Sequence, residues 1–333
     1  MSSPFVAPPL DVELRPGRIP LLRVDPTGDA PGWAARHRDA LRAVVAEHGA
    51  VLVRGLGLRD VAGTAAVLQR LGSGLMIEKE AFAPRRSYAE GVYSSVKWPA
   101  NQPMCMHHEL SYALTFPTLM LFACLTPPAA GGATALADST AVIRALPADL
   151  VRRFEHEGWL LVRNYNDEIG ASYDEAFGTA DRGAVESYCR GNGIAFEWQP
   201  GGGLRTWQRR AAVLRHAVSG RPCWFNQIGF LNEWTMAPEV REYLVEVYGA
   251  DGLPFTTRFG GGAPVGQDIV TLLNQVYDAN TIREPWQAGD LMLVDNVRMA
   301  HSREAYEGPR EVLVAMTDAV RLNTPAPVPT GPR

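Results

Sequence analysis

No apolar run in this 333-residue chain approaches the length that crosses a bilayer. The opening Met1-Ser2-Ser3-Pro4-Phe5 also lacks the basic stretch and apolar core of a secretory leader. A cytoplasmic protein with no membrane partner is therefore expected. Neither sign of charge dominates, and a net charge of −4 gives no electrostatic reason to expect a nucleic-acid partner. Cysteine is scarce and scattered: Cys105, Cys124, Cys189 and Cys223 form no C-x-x-C. That spacing argues against a disulfide framework or a thiolate zinc site and predicts free, mostly buried thiols. Internal repeats and long linkers are missing too, which excludes a solenoid or a string of small domains.

What remains is a chain with 46% hydrophobic and 20% charged residues, enough to bury a sizeable core. Residues 1–30 are rich in proline and polar groups and predict an extended segment, and the tail 323–333 carries Pro325, Pro327, Pro329 and Pro332. Between them, residues 31–322 read as one domain. Apolar spacing predicts helices over Ala34–His48, stopped by Gly49, and over Val61–Leu71, Ala148–His156 and Pro238–Tyr248, with a further helix over Ile269–Tyr277 behind an Asp268 cap. Short β-branched or aromatic runs predict strands at Ala50–Val53, Val92–Val96, Met104–Tyr112, Thr118–Leu125, Ala133–Asp138, Trp159–Tyr165, Pro222–Ile228, Leu291–Val294, Val297–His301 and Arg310–Thr317. Helices do not alternate regularly with these strands, so a doubly wound parallel sheet is disfavoured. The fold class expected is α+β with a mainly β core, a double-stranded β-helix (jelly roll) with flanking helices. The stretch 164–221, with Gly-Gly-Gly at 201–203 and helix-like pieces at Tyr173–Phe177 and Ala184–Cys189, reads as a substrate or lid insertion, or equally as a buttress on one sheet.

The chemistry concentrates in His107-His108-Glu109, answered far downstream by His301 and Arg310. On a strand, residues two apart share a face, so His107 and Glu109 would aim into one space while His108 turns away into a structural role. Two imidazoles and one carboxylate on one face of a metal leave positions open, the pattern of non-haem Fe(II) oxygenases. The same three residues would also suit a hydrolytic zinc ion, or could be unconnected polar residues. Arg310 offers a planar fork for a carboxylate. His37, His48, His156 and His216 lack a nearby carboxylate pattern and are read as structural.

Longer motifs surround these residues: Met106 to Tyr112 through Phe116-Pro117, Pro127 to Thr134, Ala137-Asp138-Ser139, Trp286 to Asp290, Asp295-Asn296, Ala300 to Arg303 and Gly308-Pro309-Arg310. From about Ala50 to Arg321 the chain resembles the taurine dioxygenase (TauD/TfdA) family of Fe(II)- and 2-oxoglutarate-dependent oxygenases. Within it, Trp224-Phe225-Asn226-Gln227 resembles the branch that holds the syringomycin-pathway aspartyl hydroxylase and other tailoring enzymes of peptide natural products. Two departures stand out. Ile228 to Asn232 lies where relatives carry histidines, and Glu109 stands where taurine dioxygenase has aspartate.

The resemblance implies that His107, Glu109 and His301 bind Fe(II), that Arg310 and Thr134 hold the distal carboxylate of 2-oxoglutarate, and that O2 is the oxidant. It implies hydroxylation of an aliphatic C–H on an amino acid or amino-acid-derived small molecule, free or carried on a peptidyl carrier protein, within antibiotic-type biosynthesis. Glu109 favours hydroxylation over chlorination, because related halogenases have no carboxylate at that position. Gln102, Arg205, Asn226 and Gln227 are the candidate polar contacts to substrate. Desaturation, epoxidation or cyclisation on the same iron, and a non-catalytic jelly-roll binding protein, are the alternatives.

Overall fold

The computed structural model describes residues 10–25, 28–83 and 85–323. A seven-stranded sheet forms the backbone of the fold, running in spatial order Leu21–Arg23, Ala50–Arg54, Leu291–Asp295, Thr115–Thr126, Glu311–Arg321, Val92–Ser94 and Ser87–Ala89. A smaller sheet runs Thr281–Ile282, Leu136–Asp138, Met299–Arg303 and Met104–His107. Together they are the jelly roll, with helices packed outside, as the strand-rich sequence predicts.

Strand periodicity explains how the large sheet serves two cores. Along Thr115–Thr126, Leu119, Leu121 and Ala123 pack with the outer helices Ala30–His48 and Val61–Leu71. Their neighbours Met120, Phe122 and Cys124 face the jelly-roll interior. The adjacent strands keep step, with Leu291, Leu293, Leu313 and Ala315 outward, and Met292, Val294, Val312 and Val314 inward. One pleat therefore anchors the helical layer and walls the interior.

The helix ends follow local chemistry. Asp60 caps Val61–Leu71 by accepting from the Gly63 N–H, and Gly49 closes Ala30–His48 in a left-handed conformation. The last helix is longer than expected, Gln267–Ala279, and Gly266 rather than Asp268 occupies its cap. Asp268 instead lies in the first turn, where a carboxylate suits the helix dipole.

Two regions depart further. The N-terminal segment supplies a strand, Leu21–Arg23, paired in parallel with Leu52 to Arg54 and buried at Leu21 and Leu22. The proline-rich tail beyond residue 323 lies outside the described residues. The 164–221 stretch belongs to a four-stranded sheet ordered Ile194–Trp198, Leu204–Arg210, Trp159–Tyr165 and Phe255–Phe259, with helices Tyr173–Phe177 and Arg182–Gly191 beside it. Tyr165, Phe177, Val185, Ile194 and Leu204 share a small core of their own. The Gly-rich run is the hairpin tip, where Gly201 and Gly202 take φ of 87° and 97°, a left-handed path that side chains resist.

Candidate metal centre

His107 ends the strand Met104–His107, and His301 sits mid-strand in Met299–Arg303. The two are direct partners in antiparallel register, and their ring centroids lie 4.3 Å apart. Glu109 arrives differently from the expectation of strand alternation. The strand stops at His107, and the chain turns through Leu110 at φ 54°. Asn296 holds that turn from 187 residues away: its Oδ1 accepts from the Glu109 N–H at 2.8 Å, and its Nδ2 donates to the Glu109 carbonyl at 2.9 Å. The ligand-capable atoms of His107, Glu109 and His301 all lie within 4.8 Å of one another, and all three residues are buried. Glu109 Oε2 faces His301 Nε2 at 3.6 Å.

The surroundings suit metal ligation. His107 Nδ1 bonds the Cys105 carbonyl at 2.8 Å, which makes Nδ1 the donor and leaves the Nε2 lone pair free. Burial, reinforced by His301, pushes the His107 pKa down to about 3, so the ring is neutral at neutral pH. Phe230 stacks on His107 at 4.6 Å, and Phe122 meets His301 edge-on at 5.3 Å, giving the site apolar walls. Burial works against ionisation of Glu109, but the Arg85 guanidinium and the histidines outweigh it and hold the carboxyl below the usual range. Arg85 donates to Glu109 Oε1 at 2.9 Å and also lies 3.2 Å from Glu78. Sequence reasoning missed Arg85, because nothing local in Arg85-Arg86 distinguishes one arginine from the other.

Arg310 lies on the same cavity, a void of about 40 Å³ lined among others by Arg85, His107, Glu109, Thr134 and His301. Its Nε donates to the Gly132 carbonyl at 3.0 Å, Nη1 to Ser95 Oγ at 3.2 Å and Nη2 to Thr134 Oγ1 at 3.4 Å. No carboxylate of the described residues pairs with it. Burial, with Arg303 nearby, lowers its pKa to about 10. A desolvated cation held by neutral acceptors is built to receive an anion. Gly132 makes that approach possible: at φ 68°, a Cβ there would come within 2.7 Å of Pro128 and 3.3 Å of Arg310 itself. Two imidazoles, one carboxylate and a guanidinium with no carboxylate partner among the described residues fit Fe(II) with 2-oxoglutarate. An adjoining cavity of about 460 Å³ shares Arg85, Ser95, Val96, Arg303 and Arg310 with the first.

The four expected substrate contacts fall elsewhere. None of them lines the metal cavity. Gln102 is exposed on a turn whose carbonyl accepts from Arg303. Arg205 pairs with Asp251 at 3.3 Å and lines a separate cleft. Asn226 is buried and spends its side chain on the Ala212 carbonyl and the Ile228 N–H. Gln227 donates to the His108 carbonyl at 2.8 Å, so it braces the backbone between two ligands. His108 is fully buried with Nδ1 on the Asn296 carbonyl, the structural part expected of it. The four cysteines are free.

Comparison with known proteins adds a family to this geometry. The taurine catabolism dioxygenase TauD, TfdA family matches residues 20–317. The dapdiamide synthesis protein DdaC of Enterobacter agglomerans is 30% identical over 277 residues, covering 83% of this chain and 84% of that protein. A clavaminate synthase-like protein of Arabidopsis thaliana is 28% identical and covers 83% of each. Among solved structures, PvcB of Pseudomonas aeruginosa superposes with a TM-score of 0.57 at 15% identity, over 96% of this chain and 97% of its own. That likeness bears on the fold alone.

Proposed function

The chain belongs to the TauD/TfdA family and is an Fe(II)- and 2-oxoglutarate-dependent oxygenase, and from that premise we propose that it hydroxylates an aliphatic C–H of an amino acid or amino-acid-derived molecule in natural-product biosynthesis. In this reading His107, Glu109 and His301 are the iron ligands, and Arg310 with Thr134 receives the distal carboxylate of 2-oxoglutarate. The observation that carries it is the buried, carboxylate-free Arg310 on the cavity of the three ligand residues. Similarity to a dapdiamide synthesis protein supports a biosynthetic setting. We place the enzyme in the cytoplasm, in keeping with its four free thiols. No helix of the described residues is long and apolar enough to cross a membrane.

Iron with 2-oxoglutarate supplies O2 activation and C–H oxidation when bound. The protein residues supply order. Neutral His107 keeps a lone pair available, and the Arg310 fork fixes one end of the co-substrate through two parallel donors. Phe122, Val96, Met104 and Val314 line the cavity and exclude water from the reacting centre. The larger adjoining cavity offers room for a small-molecule substrate, or for one delivered on a peptidyl carrier protein.

The test is a screen of amino acids, free and carrier-linked, for Fe(II)-dependent 2-oxoglutarate consumption matched mole for mole by a product heavier by one oxygen atom. Products lighter by two hydrogens would replace hydroxylation with desaturation. No 2-oxoglutarate consumption by the Fe(II)-loaded protein with any substrate would sink the assignment of these residues.

A further inference from the structure

Arg85 is a buried cation placed between two carboxylates, and only one of them is a candidate metal ligand. Its Nη2 donates to Glu109 Oε1 at 2.9 Å, and its Nε lies 3.2 Å from Glu78 Oε2, with all three side chains less than a tenth exposed. This leaves Glu109 with unequal oxygens. Oε1 is engaged by a charge-assisted hydrogen bond, whereas Oε2 is the one turned to His301 Nε2.

A left-handed residue lies close by in sequence. Glu80, between Glu78 and Arg85, sits at φ 60°, an unusual value for a residue other than glycine. It is fully buried and held on every side. Tyr188 donates to its Oε1 at 2.7 Å and Gln208 to its Oε2 at 2.6 Å, while its carbonyl accepts from Tyr112 and Arg163. Tyr188 and Gln208 belong to the added four-stranded region, and Tyr112 follows the metal-ligand turn. The knot therefore ties the Glu80 backbone, two residues after Glu78, to Tyr112 and to the four-stranded region.

We propose that Arg85 is a positioning residue that reserves Glu109 Oε1, so that Glu109 offers the iron one oxygen and the remaining coordination positions stay open for 2-oxoglutarate and O2. The inference rests on the iron and 2-oxoglutarate reading above. A carboxylate free to offer both oxygens would take a position that the co-substrate needs, since the facial arrangement works by leaving positions vacant. Loss of Arg85 therefore has a signature that general misfolding lacks: iron binding holds or tightens while 2-oxoglutarate binding weakens.

The experiment compares wild type, Arg85→Gln and Arg85→Lys under anaerobic conditions. Fe(II) affinity is read by chelator competition, and 2-oxoglutarate affinity by the metal-to-ligand absorption of the Fe(II) complex. We expect Arg85→Gln to bind Fe(II) at least as tightly as wild type and 2-oxoglutarate about tenfold or more weakly. Arg85→Lys should recover part of that loss, because an ammonium can still bond one oxygen. Glu78→Met/Arg85→Met removes the ion pair without stranding Glu78, and so guards against a single variant that fails to fold. It should show the same split. Equal 2-oxoglutarate affinity, or Fe(II) affinity that falls in step with thermal stability, would overturn the inference. A wild type that forms no Fe(II)·2-oxoglutarate complex would overturn the iron reading along with it, whereas a wild type that forms one beside a matching Arg85→Gln would overturn this inference alone.

Discussion

At Arg310 a guanidinium sits in a place that disfavours charge, bonded to three neutral acceptors with the Tyr306 ring 5.6 Å away and no carboxylate of the described residues paired with it. The proposed function gives it a ligand carboxylate as partner. Arg310→Ala should leave Fe(II) affinity nearly unchanged and cost about 2–5 kcal/mol of 2-oxoglutarate binding, the usual result of removing one partner of a desolvated charge pair. That is roughly thirty- to several-thousand-fold in affinity. An anaerobic titration that finds equal affinities would remove Arg310 from the co-substrate site. His107→Ala, Glu109→Ala and His301→Ala should each abolish turnover with the fold retained, since these residues line a cavity rather than fill the core. Circular dichroism and 2-oxoglutarate consumption check the two halves separately. Asn296→Ala should behave differently. It strands the Glu109 N–H and carbonyl and the Pro117 carbonyl, each a buried group costing about 1–3 kcal/mol when unpaired. Stability and iron affinity should fall together there, and an unchanged denaturation midpoint would contradict the role given to that side chain.

Asp138 shows how one side chain can join elements. It ends the strand Leu136–Asp138, caps the helix Ser139–Ala145 by accepting from the Thr140 and Ala141 N–H groups, and pairs with Arg298 at 3.0 Å. Burial works to raise its carboxyl, but Thr140 and Arg298 prevail and hold it below the ordinary aspartate value of 3.8. A depressed carboxylate stabilises the fold fully above its unfolded pKa and loses that contribution as pH falls through the folded value. Asp138→Ala should cost about 1–2 kcal/mol at neutral pH, the magnitude of a lost helix cap. The gap should narrow as denaturation is repeated below pH 3.8. A constant gap would mean that charge plays no part. Elements of this local kind were legible in the sequence: Val61–Leu71 lies between Asp60 and Gly72, Pro238–Tyr248 runs from its own proline to Gly249, and Trp159–Tyr165 starts after Gly158. Leu204–Arg210 was not, because its inward positions include Gln208 and Arg210, polar residues whose donors reach Glu80 and the Tyr112 and Asn192 carbonyls, contacts that only folding creates. The same holds for the site. His107, Glu109, His301 and Arg310 stand out because the iron and carboxylate chemistry proposed for them demands those residue types. The turn that presents Glu109 is held by Asn296 from 187 residues away, and the guanidinium beside it comes from Arg85, 24 residues upstream; neither leaves a periodic trace.

At the scale of the molecule, the site is assembled from segments between Arg85 and Val314 that only folding brings together. Ligands that bind it therefore select the folded state and stabilise it by mass action. A ligand at a hundred times its dissociation constant adds about 2.7 kcal/mol. For a chain of this size each kcal/mol moves the midpoint by roughly 1–2 °C, so metal alone should raise Tm by about 3–5 °C. The order of addition matters more than the size of the shift. 2-Oxoglutarate should add a second increment only when metal is present, because in the proposed reading Arg310 would hold one end of it and the metal centre the other. Arg310→Ala should keep the metal increment and lose the second. A full 2-oxoglutarate shift in metal-free protein would separate the co-substrate pocket from the metal centre. An Arg310→Ala protein that still shows both increments would mean that some other cation receives the carboxylate.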